Sequence, residues 1–161
     1  MIELNESSVD RSGTSETITG GICLRLSDTA FPASDWDDFV VPILTAWADA
    51  VTRLLTGAST REHVQFMDGP FEVEIVQTSP DTWTLHLIER GLAGPQVATA
   101  TVDPTPLAAS VVDASERTLR TLARRDWQSR DVSLLAAAGK RLRRAVEGRL
   151  GDGRMPTRSD E

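Results

Sequence analysis

Two hydrophobic rhythms run along the chain. From Ile18 a period of two sets in: Ile18, Gly20, Ile22, Leu24 and Leu26 alternate with polar or small residues, the pattern of a strand with one buried face. The Gly20-Gly21 pair inside it marks a bulge or a close approach of backbone. A break follows at Phe31-Pro32-Ala33-Ser34-Asp35. The rhythm then changes to steps of three and four through Trp36, Phe39, Val40, Ile43, Leu44, Trp47, Val51, Leu54 and Leu55, which predicts an amphipathic helix. Ser34 or Asp35 is placed to cap it. Pro42 opposes one continuous helix from Asp35, because an interior proline removes a hydrogen bond and clashes with the preceding turn. We therefore expect a separate short turn over 35–40, with Pro42 in the first turn of the main helix and Gly57 at its end.

Period two then returns. A short strand is expected at His63–Met67, followed by Asp68-Gly69-Pro70. In that turn Asp68 is expected to bond backbone amides beyond the glycine, and Gly69 to take positive φ. Phe71, Val73 and Ile75 alternate with Glu72 and Glu74; Trp83, Leu85 and Leu87 alternate with Thr84 and His86; Val97–Val102 is a β-branched run. Turns at Ser79-Pro80-Asp81 and Gly91–Pro95 separate these segments, and such short turns force antiparallel pairing. Thr105-Pro106 predicts a helix start, with apolar positions running to about Arg125. Asp131 is expected to cap a last helix that keeps its period to Leu150 and stops at Gly151.

The order strand, helix, four strands, two helices predicts an α+β domain over 18–150. It would hold a mainly antiparallel sheet of about five strands, with helices packed on one face. Residues 1–17 show no period and are rich in Glu, Ser, Asp and Gly, so we expect a disordered tail there; residues 151–161 are expected as a polar C-terminal tail.

Composition narrows the function classes. At 161 residues the chain can bury a core without disulfides, and its one cysteine, Cys23, excludes a disulfide framework. No apolar run approaches the roughly 20 residues of a membrane span, and the acidic start (Met1-Ile2-Glu3-Leu4-Asn5-Glu6) lacks the order of a signal peptide. A cytoplasmic protein with no membrane partner is expected. The net charge of −7 divides unevenly, at −12 through Asp113 and +5 from Ala114 onward. Sixteen of the seventeen basic residues are Arg, which fits GC-rich coding. The acidic front half repels phosphates and suits a basic partner.

Candidate chemistry is sparse. His63 and His86 fall on neighbouring predicted strands near Asp68, Glu72 and Glu74, but no ligand spacing of a metal site is present, and neither metal nor cofactor is expected. Glu72 and Glu74 share the polar face of one strand, where solvation explains them. Asp35, Asp37 and Asp38 form an acidic knot that the helix dipole favours; beside Trp36 and Phe39 it also suits a binding patch. Trp36, Trp47 and Trp83 fall on predicted buried faces. Trp127 lies between the last two helices, either as an exposed binding anchor or as a staple between them. The chain has no nucleophile elbow, Walker loop or dinucleotide fingerprint. Arg141, Arg143, Arg144 and Arg149 lack aromatic interleaving, so a solvated helix is expected, and no nucleic-acid partner.

Trp36-Asp37-Asp38-Phe39, Trp47, Phe66-Met67-Asp68-Gly69-Pro70-Phe71 and Trp83 together resemble an uncharacterised actinobacterial family with W-x-D-F and F-M-D-G-P-aromatic elements. Its layout is similar to that of WapI-like immunity proteins, which neutralise polymorphic or contact-dependent toxins. The resemblance covers about Ile22 to Leu122. WapI-like proteins carry an acidic Glu-Pro turn in place of Asp68-Gly69-Pro70 and lack the helix from Asp131. The resemblance implies a non-catalytic binding protein with a cognate toxin as partner and supplies no catalytic residue. The expected binding residues are Asp35, Trp36, Asp37, Asp38, Glu72, Glu74 and Trp127, with Asp68, Gly69 and Pro70 as a structural turn. Two alternatives stay open: a homo-oligomer pairing through the Arg-rich last helix, and a small enzyme using His63 and Asp68.

Overall fold

The computed structural model describes residues 1–13 and 17–152. Its elements in chain order are β1 (Ile2–Arg11), β2 (Ile18–Leu26), β3 (Thr29–Phe31), β4 (Asp37–Asp38), α1 (Val40–Leu55), β5 (Arg61–Gln65), β6 (Phe71–Ser79), β7 (Thr82–Gly91), β8 (Gly94–Val102), α2 (Pro104–Arg124) and α3 (Arg130–Asp152). The class is α+β, but the strands form two four-stranded antiparallel sheets instead of one sheet of about five. In the first sheet β2 is central: β1 lies on one side, and β3 and β4 both pair with it on the other. The second sheet is the meander β5-β6-β7-β8.

Three strands were not expected, β1, β3 and β4, and the long one, β1, lies where the sequence pattern predicts a disordered tail. Ile2, Leu4 and Val9 are all buried. Their alternation is hidden by a bulge: the register runs Asn5↔Gly21 and resumes at Asp10↔Thr19. Residues before and after the bulge therefore point inward on opposite parity, so no single period of two links them. The glycines of β2 make room for it. A Cβ on Gly20 would meet Val9 Cα at 3.1 Å, and the Gly21 amide donates to Ser8 Oγ at 2.7 Å. Contacts to α2 hold the strand down: Ile2 N to Ser110 Oγ (2.9 Å), Arg117 to Glu6 (2.7 Å), and Arg125 to the Val9 carbonyl (2.5 Å).

α1 packs against α2, α3, β2 and β5 and buries nine residues, among them Ile43, Leu44, Trp47, Val51 and Leu54. Pro42 sits in its first turn, as the sequence predicts. The residue before the helix is Phe39, however, and no side chain caps it, so neither Ser34 nor Asp35 has that role. α2 starts two residues earlier than predicted: Asp103 is the cap, its carboxylate accepting from Thr105 N at 2.7 Å, and Pro104 opens the helix. At the start of α3, Ser129 Oγ in place of Asp131 accepts from Val132 N at 3.2 Å, and the helix continues through Gly151 to Asp152. The rest of the expected C-terminal tail lies outside the described residues. The two sheets, α1 and the inner faces of α2 and α3 share one core, in which Val73, Ile75, Trp83, Leu85, Leu107, Leu122 and Leu135 are fully buried. Each such aliphatic or aromatic side chain contributes about 1.5–3 kcal/mol by leaving water. Among the described residues no helix is long and apolar enough to cross a membrane.

Candidate functional site

β4 is only two residues long, but it places the whole Trp36-Asp37-Asp38-Phe39 segment. Asp37 and Asp38 pair with Gly21 and Gly20 of β2. Asp37 consequently points to solvent and Asp38 inward, at 1% exposure. The Asp38 carboxylate accepts four N–H groups: Trp36 Nε1 (2.9 Å), Phe39 N (2.7 Å), Met67 N (3.0 Å) and Asp68 N (3.1 Å). A buried carboxylate is costly unless its lone pairs are filled, and here hydrogen bonds fill them without a cation.

Asp38 thereby welds the two sequence motifs into one unit. Trp36 stands edge-on to Phe71, with ring centroids 5.0 Å apart, and Phe31 stands edge-on to both Phe66 and Phe71 at 5.9 and 5.7 Å. The Phe66 amide donates to the Phe71 carbonyl at 2.9 Å, closing the loop between them. Gly69 has φ +142°, the positive value expected, and a Cβ there would meet the Phe71 ring at 2.9 Å and the Trp36 ring at 3.1 Å. The expected backbone bonding by Asp68 is absent. Its side chain is exposed and makes no hydrogen bond or ion pair among the described residues, and Asp38 holds the turn in its place.

The surface of this unit is unusual in composition. Met67 is 57% exposed at the apex. It borders a groove of about 440 Å³ that is also lined by Ile18, Phe39, Pro42, and Arg130 and Asp131 from the start of α3. Asp35, Asp37 and Asp68 are all exposed, and among the described residues none has a side-chain partner. Many acidic groups elsewhere are matched, although Asp28, Glu89, Asp126 and Asp131 also lack an ion pair among the described residues. Arg117 pairs with Glu6, Arg141 with Asp49 at 2.8 Å, Arg149 with Asp81 at 2.9 Å, and Arg143 with Glu116. The basic second half of the chain thus neutralises part of the acidic first half within the fold, and much of the Arg-rich last helix is engaged in doing so.

The other expected binding residues are placed differently. Glu72 is buried under Arg90, which it meets at 2.5 Å, and Glu74 pairs with Arg61 at 2.5 Å. Solvation therefore does not explain this pair, and neither carboxylate is free for a partner. Glu74 also lies 3.5 Å from His63 Nε2 and 3.8 Å from His86 Nε2, while His86 Nδ1 lies 3.2 Å from Thr99 Oγ1. This makes a polar row across the four strands, following the register His63↔Glu74↔His86↔Thr99. His63 faces Glu74 and has no hydrogen bond or ion pair with Asp68. Among the described residues no group of three His, Cys, Asp or Glu can hold a metal. Burial, with Glu3 beside it, raises the Cys23 thiol above its ordinary pKa, the opposite of an activated nucleophile.

Trp127 is half-buried against the core. The Arg125 guanidinium lies 4.8 Å from its ring centroid, and its amide donates to the Leu122 carbonyl at 3.0 Å. It packs at the end of α2 with part of its surface in solvent. Met67 was not among the expected binding residues, and Phe39 entered only as a neighbour of the acidic knot; an apolar Met67 two positions before the turn glycine was the available signal. Comparison with known families, curated proteins and solved structures returns no match for this chain.

Proposed function

We propose that this is a non-catalytic binding protein that captures a basic protein partner on the surface around Met67, with an immunity protein facing a cognate toxin as the concrete case. One observation carries this: two segments about thirty residues apart are locked together by a buried carboxylate, and what they present is an exposed Met67 with three exposed carboxylates that have no side-chain partner among the described residues. Flexible thioether side chains suit protein contacts. Unpaired aspartates around an apolar centre give the rim that steers an oppositely charged partner. The immunity case is supported further by the W-x-D-F and F-M-D-G-P resemblance. A cytoplasmic location fits that role.

The test begins with capture of partners by the tagged protein from its own lysate, followed by affinity measurement with the purified partner. Met67→Ala and the triple change of Asp35, Asp37 and Asp68 to Asn are each expected to weaken binding at least about tenfold. The charge variant should act mainly on association rate, and its effect should shrink at high salt. Unchanged affinity in both variants would place the interface elsewhere and remove this surface from the function.

A further inference from the structure

The four sheet edges are not equally guarded. β1 carries a bulge together with Glu3, Glu6, Asp10 and Arg11; β3 and β4 are three and two residues long; β5 is five residues long and carries Arg61, Glu62 and His63. Bulges, brevity and charge are the ordinary devices that stop an edge from pairing with another strand. β8 has none of them over most of its length. It spans nine residues, Gly94–Val102, without a charged side chain, and its only proline is at the second position. It pairs with β7 in unbroken register from Trp83↔Val102 to Gly91↔Gly94, and among the described residues no strand pairs with the N–H and C=O groups on its other side. Val97 is 55% exposed, and Leu92 at the hairpin tip is fully exposed.

We propose that β8 is a self-association edge, occupied by β8 of a second copy of this chain in antiparallel pairing about a two-fold axis. Its lack of charge allows the second copy despite the net charge of −7, because no like charges face one another across the paired strands. With the axis through Ala98, Val97 of one copy lies opposite Thr99 of the other, a β-branched pair on the same sheet face. Pro95 falls opposite Thr101, and Gly94 opposite Val102. Leu92 of each copy then extends past Val102 at the end of the other's β8. On the helix-side face the edge carries Ala98 and Ala100, small enough to leave space where the two helix layers approach. The product is a continuous eight-stranded sheet with a closed, isologous interface. Met67 belongs to the β5–β6 connection, two strands away from β8, so the surface proposed for partner binding stays open in both copies.

Sedimentation velocity on the full chain over a rising concentration series tests this. The expected result is a shift from the 17.5 kDa chain mass toward twice that value at micromolar concentration. The double variant Val97→Lys, Thr99→Lys, which puts two cations on an exposed edge, should remain monomeric over the same range, with a thermal midpoint that does not rise with concentration as that of the wild type does. Hydrogen exchange of the wild type gives a second readout that does not depend on the variant folding: β8 amides should exchange more slowly at high concentration than at low, and β5 amides should not. A wild-type monomer at the highest concentration overturns the proposal. So does a dimer undiminished in the double variant, or β8 exchange that is independent of concentration.

Discussion

Asp38 and Asp68 stand thirty positions apart and meet where the Asp68 amide donates to both oxygens of the Asp38 carboxylate, at 3.1 and 3.2 Å. The two aspartates divide the work. Asp38 is buried and organises backbone; Asp68 is held in place by it and leaves its own carboxylate in solvent. Replacing Asp38 by Ala leaves the amides of Phe39, Met67 and Asp68 and the Trp36 indole N–H without an acceptor. The expected loss is about 3 kcal/mol or more, since each buried unsatisfied donor costs about 1–3 kcal/mol and water reaches some of them. Chemical denaturation followed by tryptophan fluorescence measures it. A loss within the error of wild type would show that the carboxylate does not hold this unit together.

Gly69 is the second pin. Its φ of +142° lies where only glycine is comfortable, and the space a Cβ needs is filled by the rings of Phe71 and Trp36. Gly69→Val is expected to destabilise the fold by about 2–4 kcal/mol, combining backbone strain of about 1–3 kcal/mol with a displaced ring. Gly57 and Gly94 also have positive φ, but a Cβ at either meets nothing within 4 Å. Gly94→Ala should therefore cost less than Gly69→Ala in the same assay, and equal costs would remove ring contact as the cause.

The first helix was legible in the sequence because seven apolar positions at steps of three and four from Val40 to Leu55 leave little freedom, and Pro42 fixed where it opens; Trp36 and Phe39, which continue the same steps, lie before it. Caps were less legible. Asp103-Pro104-Thr105-Pro106 offers two cap-then-proline pairs, and only the folded chain shows that Asp103 is the one used. β1 was illegible because its bulge inverts the parity of Val9 against Ile2 and Leu4. The residues of the candidate site could be picked out as motifs, but their meeting could not. It depends on a two-residue strand beside β2, and the alternation of that strand decides that Asp38 and not Asp37 is buried. Glu72 and Glu74 looked solvated because cross-strand partners such as Arg90 and Arg61 are far off in sequence.

The first strand gives a direct comparison between a tail and a structural element. Leu4 is buried beneath α2, and truncating a buried leucine costs about 2–5 kcal/mol. Leu4→Ala is expected in that range, and Asn5→Ala, which is exposed and loses only the acceptor for Ser7 N and Oγ, is expected to cost less. Urea unfolding of both variants checks this. A neutral Leu4→Ala would mean that residues 2–11 add nothing to the core.

Acid should weaken the fold in part through Glu62. Arg53, at the end of α1, donates two hydrogen bonds to the Glu62 carboxylate of β5, both 2.7 Å long. Those bonds pull the Glu62 pKa below its ordinary value, against the opposing effect of burial. A carboxyl whose pKa is lower folded than unfolded contributes stability that is complete above the unfolded value and disappears as pH falls through the folded one. The contribution should thus be full at neutral pH and fade below about 4.3, the ordinary glutamate value. Because Arg53 is half exposed, solvent screens the pair and its share is modest. Glu62→Gln keeps the shape and removes the titration, so the variant should be less stable than wild type at neutral pH and approach it in acid. The urea midpoint of both proteins, followed from neutral pH down through the glutamate range, gives the comparison. A gap between them that stays constant with pH would mean that the pair joins α1 to β5 by shape alone, with no charge effect.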